Sequence, residues 1–498
     1  MGTILLAREK NMAFDIRNKR LSDEEFFKRR NEVLKQWETG KQVENLNENI
    51  SAAKELSQGK SYALTLAEHK KRGANLFEPQ FGQALTEYMI DGISYVEANS
   101  DLYPHGAWTI FSDTYTRKGD FVRAAAGMER SRKEGMNMLN GWPIVCCGVD
   151  AARKIIKAAK CPLNLNSADE DAGLQTEIAF AAGWNGGNNN PIMTCVAHSK
   201  DIPMDKLLKI KQYDARLGGV YTENGVPICP HNTSNLTGYD TPGMKTFTNV
   251  VQALFGAEQG IKYQHVMHGL GMNILQDAAM VRVTERLCNE YCKRFGYPDM
   301  TFITGGYPFL GAWPPRVEEA HAMIAWNAIV DIMGGFTNIV LKCEDEAFAT
   351  PTKEGMANSV RLTRHLITLL GAQKLPESEE MKLEEKMIEM EVRAILEKSL
   401  EAGDGDILVG LCTAIECGWF DTMVSPWKHV KGKVRYIRDA ENAVRYFDTG
   451  NVPIPKEAKE YNDAKLRERE EKQKITLTFD TVVSDLQFAS RLPIPVNV

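Results

Sequence analysis

The stretch Asn338-Ile339-Val340-Leu341-Lys342-Cys343-Glu344-Asp345-Glu346 follows Gly334-Gly335 and runs into Pro351-Thr352-Lys353-Glu354-Gly355. Its first half is apolar enough for a buried strand. Its second half turns charged. A buried strand that emits Lys and Glu at its carboxyl end places polar groups where α/β enzymes keep their sites. Lys342 offers three donors and Glu346 two acceptor oxygens, enough to grip the hydroxyls of a ribose or similar polyol. A plain ion pair at the end of the strand is the competing reading.

Working outward, short apolar runs alternate with longer helical ones from about residue 61 to 375. The pattern predicts strands near 75–81, 108–114, 142–149, 161–167, 191–198, 226–231, 263–269, 301–307 and 338–343. Amphipathic helices are expected over 172–182, 244–259, 274–294 and 316–333. Eight or nine β–α units in series favour an α/β fold, a closed (β/α)8 TIM barrel, over an open doubly wound sheet. The run in excess of eight is not singled out by the pattern. Gly183-Trp184-Asn185-Gly186-Gly187-Asn188-Asn189-Asn190-Pro191 reads as a long loop over the barrel mouth.

Before this region, Ser22-Asp23-Glu24-Glu25 is a capping box that opens a helical lead-in over 22–38. After it, residues 377–402 read as a long charged helix closed by Gly403. Residues 456–473 are rich in Lys and Glu and read as a solvated helix. Ile475-Thr476-Leu477-Thr478-Phe479 is β-like. The expected organisation is an N-terminal helical segment over 1–60, the barrel over 61–375, and a C-terminal α/β extension over 376–498.

The chain has 498 residues, 43% hydrophobic and 25% charged, which is ordinary for a soluble globular protein. A net charge of −6 argues against nucleic acid or an anionic membrane as partner. No apolar run reaches the ~18–20 residues of a membrane span. The apolar patch at Met1–Arg8 is too short for a signal sequence, and Met1-Gly2 lacks a myristoylation pattern. Cytoplasmic residence follows as the expectation.

Ten cysteines are scattered without a Cys-x-x-Cys, and nine histidines form no His-x-x-x-His. The cysteines read as buried thiols of a reducing compartment, and no protein-ligated metal is expected. There is no Gly-x-Gly-x-x-Gly, no Walker loop and no Gly-x-Ser-x-Gly elbow.

Six further marks stand along the chain: Tyr115-Thr116-Arg117, Leu139-Asn140-Gly141-Trp142-Pro143, Leu236-Thr237-Gly238, Gly256-Ala257-Glu258-Gln259-Gly260, Met272-Asn273-Ile274-Leu275-Gln276-Asp277 and Pro351-Thr352-Lys353-Glu354. With these, the chain resembles the large (epsilon) subunit of glutamate mutase, also called methylaspartate mutase, from Leu21 to Pro453. The resemblance implies a (β/α)8 barrel that binds adenosylcobalamin and shelters a carbon-skeleton rearrangement. It implies that Lys342 and Glu346 hold the adenosyl ribose. It places Gly82, Asn140, Ala197, Trp313 and Thr350 at further cobalamin-contact positions. Trp313 stands where the family has phenylalanine, Ala197 where it has proline, and Thr350 where it has isoleucine.

In the family a small (sigma-like) subunit supplies the lower cobalt ligand through an Asp-x-His-x-x-Gly motif. No histidine here has an aspartate two residues before it. The resemblance therefore implies such a partner, and also a self-dimer.

The substrate side departs from the family. Of three arginines that hold a dicarboxylate, Arg117 remains, while Gln80 and Asn166 occupy the other two positions. Asn188 replaces the glutamate that holds the substrate ammonium. Thr194 and His198 replace two tyrosines, and Tyr307 replaces a histidine. Ser167 completes the candidate pocket. Losing two arginines removes roughly 3–6 kcal/mol, or about 10²- to 10⁴-fold in glutamate affinity.

The leading expectation is a mutase subunit acting on a substrate other than glutamate, with Arg117 clamping one carboxylate. A true glutamate mutase with a rearranged pocket is the first alternative, and a non-catalytic cobalamin-binding or scaffold relative the second. Asp169, Glu170 and Asp171 read either as part of the pocket or as an exposed loop. His198, expected at a strand end, reads either as a proton donor or as a satisfied core histidine.

Overall fold

The computed structural model describes residues 14–234, 238–309 and 311–489. The apolar patch at Met1–Arg8 lies outside these residues, as do Leu236 and Thr237. Eight strands form one parallel sheet: β1 (Leu76–Phe81), β2 (Trp108–Phe111), β3 (Leu163–Asn166), β4 (Gly186–Asn188), β5 (Cys229–Thr233), β6 (Tyr263–Gly269), β7 (Thr301–Tyr307) and β8 (Asn338–Leu341). Their order around the sheet is β3-β2-β1-β8-β7-β6-β5-β4. β1 pairs with both β2 and β8, in parallel.

The two edges, β3 and β4, then meet. A Cβ placed at Gly186 would collide with the Asn164 side chain, so glycine is what lets β4 approach β3. The result is a (β/α)8 barrel with helices around it. Strands covered on both faces must be apolar or internally hydrogen-bonded throughout, and from Gln264 to Gly269 every residue of β6 is buried.

The amphipathic stretches fold as read. Helices span Gly173–Ala181, Pro242–Glu258, Ile274–Arg294 and Val317–Gly334. The lead-in helix Asp23–Val33 carries its capping box, with Ser22 N–H donating to Glu25 Oε2 at 2.9 Å and Glu25 N–H to Ser22 Oγ at 3.3 Å. The charged helices run Glu379–Ala402 and Lys456–Gln473.

A large apolar cluster joins the barrel to the C-terminal region. Leu254 and Val283 from barrel helices pack in it with Val392, Leu396, Leu411 and Trp419. Burying each such aliphatic side chain contributes about 1.5–3 kcal/mol, so the extension shares the barrel's core. A two-stranded antiparallel hairpin, β9 (Arg435–Arg438) with β10 (Val444–Asp448), lies within it.

Four expectations are corrected. Residues 142–149 are not a strand. They open the helix Ile144–Ala158, whose Ile144, Val145, Val149, Ala152, Ile155 and Ile156 are buried at helical spacing, with a break at Gly148 (φ 75°). Residues 191–198 are a helical turn, Pro191–Met193, continued by a π-turn, Thr194–His198. Residues 191–196 are all buried, which erases the period that separates a helix from a strand. The glycine- and asparagine-rich segment read as a loop contains β4 instead. Ile475–Thr478 is irregular, and Phe479 begins a helix through Asp485.

Candidate active site

Residues two apart on a strand point to the same face, and this orders the barrel interior into layers. In the lower layer Glu78 (β1), Thr109 (β2), Asn164 (β3), His231 (β5), His265 (β6) and Asn338 (β8) form one buried network. Tyr62, from the helix preceding β1, enters from below. Its Oη lies 2.9 and 3.0 Å from the Glu78 oxygens, 2.6 Å from His231 Nε2 and 3.1 Å from His265 Nδ1.

Burial opposes the Glu78 charge. His231, His265 and the Thr109 hydroxyl more than offset it and hold the carboxyl down to about 2. Burial, then the neighbouring His231, lowers His265 to about 3. Glu78, His231 and His265 bring three ligand atoms within 4.8 Å of one another. The Tyr62 hydroxyl sits where they converge and fills the space an ion would take. No local motif signalled this cluster, because its members come from separate strands.

One layer up lie Gln80, Asn166, Asn188 and Tyr307, each two residues beyond a lower-layer position (Glu78, Asn164, Gly186 and Gly305). Lys342 follows Asn338 by four on β8. Gln80 Nε2 donates to Tyr307 Oη at 2.9 Å. Burial raises the Tyr307 pKa, against the charge of Lys342. Lys342 is 7% exposed and pairs with the part-buried Glu346. Burial opposes its charge, but Glu346 and Tyr307 outweigh this and its pKa is raised. Gln80, Tyr307, Lys342 and Glu346 are thus one contiguous group.

A second group forms beside it. Asp113 caps the short helix Thr114–Arg117. Arg117 Nη2 donates to Thr114 Oγ1 at 3.1 Å, while Arg117 Nε has no partner. Thr114 N and Oγ1 both donate to Asn140 Oδ1, at 2.9 and 3.0 Å. Asn188 Nδ2 donates to the Ser167 carbonyl, leaving Asn188 Oδ1 unpartnered.

His198 closes the π-turn rather than a strand. It opens onto a cavity, yet burial, with the charge of Arg117, pulls its pKa to about 4. Both effects favour the neutral imidazole, although the side chain is exposed to the cavity. Thr194 Oγ1 donates to Asn190 Oδ1 at 3.4 Å.

The acidic run divides three ways. Asp169 is 1% exposed and accepts from Ser167 Oγ and Gln175 Nε2. Asp171 accepts from Arg29 Nη2 at 2.6 Å and Gln36 Nε2 at 2.7 Å. Glu170 is exposed to the cavity and has no hydrogen bond or ion pair. That cavity, of about 810 Å³, is walled by Arg117, Phe121, Ala168, Glu170, His198 and Ile202.

The other positions that the resemblance assigned to cobalamin contact sit on the loops beyond the strands. Gly82 follows β1, where an added Cβ would lie 3.0 Å from Gly141 Cα and 3.1 Å from the Phe111 carbonyl. Ala197 is part-buried in the π-turn. Trp313 and Thr350 follow β7 and β8, and neither hydrogen-bonds to Lys342 or Glu346; the Trp313 indole N–H is unpartnered.

Residues 56–492 match the family described as Methylaspartate mutase E chain. The chain belongs to that family. The glutamate mutase epsilon subunit of Desulfitobacterium hafniense is 34% identical over 475 residues, covering 95% of this chain and 97% of that one. Those of Yersinia enterocolitica and Treponema denticola are 33% and 32% identical, also over nearly full length. As a methylaspartate mutase E chain relative, this protein is the large, catalytic subunit of an isomerase of the mutase class. Among its described residues no helix is long and apolar enough to cross a membrane.

Proposed function

We propose that this chain is the large subunit of an adenosylcobalamin-dependent mutase that rearranges the carbon skeleton of a small amino acid or related carboxylate other than glutamate. The observation that carries the reading is the charge of the upper layer. Gln80 and Asn166, which face the barrel axis, are neutral, and Gln80 is already engaged by Tyr307. Arg117, in the group beside them, lines the cavity and can hold a carboxylate in a planar fork.

The mouth suits the cofactor. Lys342 and Glu346 offer donors and acceptors for ribose hydroxyls, the Trp313 N–H is free, and Gly82 keeps the rim narrow. Adenosylcobalamin, when bound, supplies the radical chemistry. The chain's residues bind, orient and exclude water: Arg117 fixes the carboxylate, and the neutral His198 accepts or donates a hydrogen bond beside it. The two polar layers close the barrel below the reacting end.

The chain is proposed to work with a small cobalamin-binding subunit carrying Asp-x-His-x-x-Gly, to form a self-dimer, and to reside in the cytoplasm with its ten free thiols reduced. The division at about residues 60 and 375 is part of the same proposal.

A second reading, true glutamate mutase with a rearranged pocket, has one observation in its favour. Lys118 and Lys200 border the same cavity as Arg117 and offer cations for a second carboxylate. The test is a turnover assay with the small subunit and adenosylcobalamin. Glutamate is expected to give no 3-methylaspartate, and Gln80→Arg with Asn166→Arg and Asn188→Glu to raise glutamate affinity. Efficient conversion of glutamate by the unmodified chain overturns the proposal.

A further inference from the structure

We infer that Glu170 is the specificity-determining anion of the site: it receives the ammonium of an amino-carboxylate substrate whose carboxylate is held by Arg117. The inference rests on the reading of Arg117 given above and adds the second contact. Three acids follow β3 in succession, and the structure separates them. Asp169 is turned inward to Ser167 and Gln175. Asp171 is occupied by Arg29 and Gln36. Glu170 alone of the three lines the cavity with no partner.

Its neighbours fit the role. The charge of Glu170 reaches Cys195 in the Thr194–His198 turn, and the charge of Arg117 reaches His198 in the same turn. Anion and cation therefore flank one short segment of wall, with a neutral imidazole at its end. A ligand carrying both a carboxylate and an ammonium satisfies both groups at once. A plain dicarboxylate leaves Glu170 facing a like charge, which is unfavourable.

The other charges on the cavity do not compete for the ammonium. Asp201 is 2.9 Å from Lys428 Nζ. Lys200 acts on that same aspartate, and Lys118 is an exposed cation on the rim.

The experiment is isothermal titration of the full chain, complexed with its small subunit, using L-lysine, 6-aminohexanoate, hexanoate and glutarate. Wild type is expected to bind the two amino compounds about tenfold more tightly than hexanoate, between the worth of an exposed ion pair and that of a buried charged hydrogen bond. Glu170→Gln should abolish that preference and leave hexanoate affinity unchanged. Arg117→Lys should weaken all four. A loop-disrupting effect would instead lower hexanoate binding with the rest, and would overturn the assignment. If Glu170→Gln keeps the wild-type preference, Glu170 is not the ammonium partner while the Arg117 reading stands. If wild type shows no preference for the amine, or binds glutarate most tightly, the underlying reading fails and the inference with it.

Discussion

Gln80 Nε2 on β1 donates to Tyr307 Oη on β7 across 2.9 Å, passing over the intervening β8. The charge of Lys342 acts on the same tyrosine. Gln80, proposed to face the substrate, is therefore hydrogen-bonded to a tyrosine that feels the charge of the Lys342–Glu346 pair. An arginine at position 80 would bring a second cation to this tyrosine beside the buried Lys342.

Lys342→Ala and Glu346→Gln are expected to weaken adenosylcobalamin binding about 10- to 100-fold each, the worth of one or two charge-assisted hydrogen bonds. Cobalamin titration of the complex with the small subunit measures this. Wild-type affinity and turnover in both variants would remove the proposed ribose contact.

His198 gives a pH signature by its absence. Its pKa lies near 4, depressed below the usual value, so it has lost its proton well below neutrality. Between pH 6 and 8 the kcat/KM profile should carry no titration from His198, and His198→Gln should lower activity without changing the profile's shape. A limb near pH 6.5 that disappears in the variant would contradict a neutral imidazole.

Glu78 is a depressed acid, at about 2 against a usual 4.5. Its contribution to stability is fully present above pH 4.5 and is lost as pH falls toward 2. Glu78→Gln should cost roughly 1.5–3 kcal/mol at pH 7, because Tyr62, Thr109 and Asn338 lose their charged acceptor. The gap to wild type should narrow below about pH 4.5. Urea unfolding at a series of pH values checks both points.

Gly186→Ala places a methyl group against Asn164 and pushes β4 from β3. The expected loss is about 1–3 kcal/mol, as for an overpacked core. A thermal unfolding midpoint equal to wild type would show that the β3–β4 seam tolerates side chains.

Much of the barrel was legible. β6, β7 and β8 are long or strongly apolar runs, joined by the long helices Ile274–Arg294 and Val317–Gly334. β4 was not legible, because Gly186, Gly187 and Asn188 carry no strand signature; their extended form is imposed by β5, which they pair with through Cys229, Pro230 and His231. The apolar runs at 142–149 and 191–198 misled for the opposite reason: their residues are apolar on the buried and half-buried faces alike, so a window this short shows no polar face. In the site, Lys342 and Glu346 stood out as charges at a strand end, and Arg117 through the family resemblance. The Glu78–His231–His265–Tyr62 cluster did not, since a local reading cannot align residues from three strands and a preceding helix.

By itself, the sequence determined the β–α alternation, the charged end of β8, the capping box at Ser22 and the kinship of the whole chain. These are local or cumulative properties, written in the order of residues. Only the tertiary structure decided which of Asp169, Glu170 and Asp171 is free, which proton state His198 holds, and where the barrel closes. Those depend on partners brought from distant positions — Arg29, Gln36, Gln175, Arg117 and Asn164 — and on the water they exclude, and neither is encoded in any short stretch of the chain.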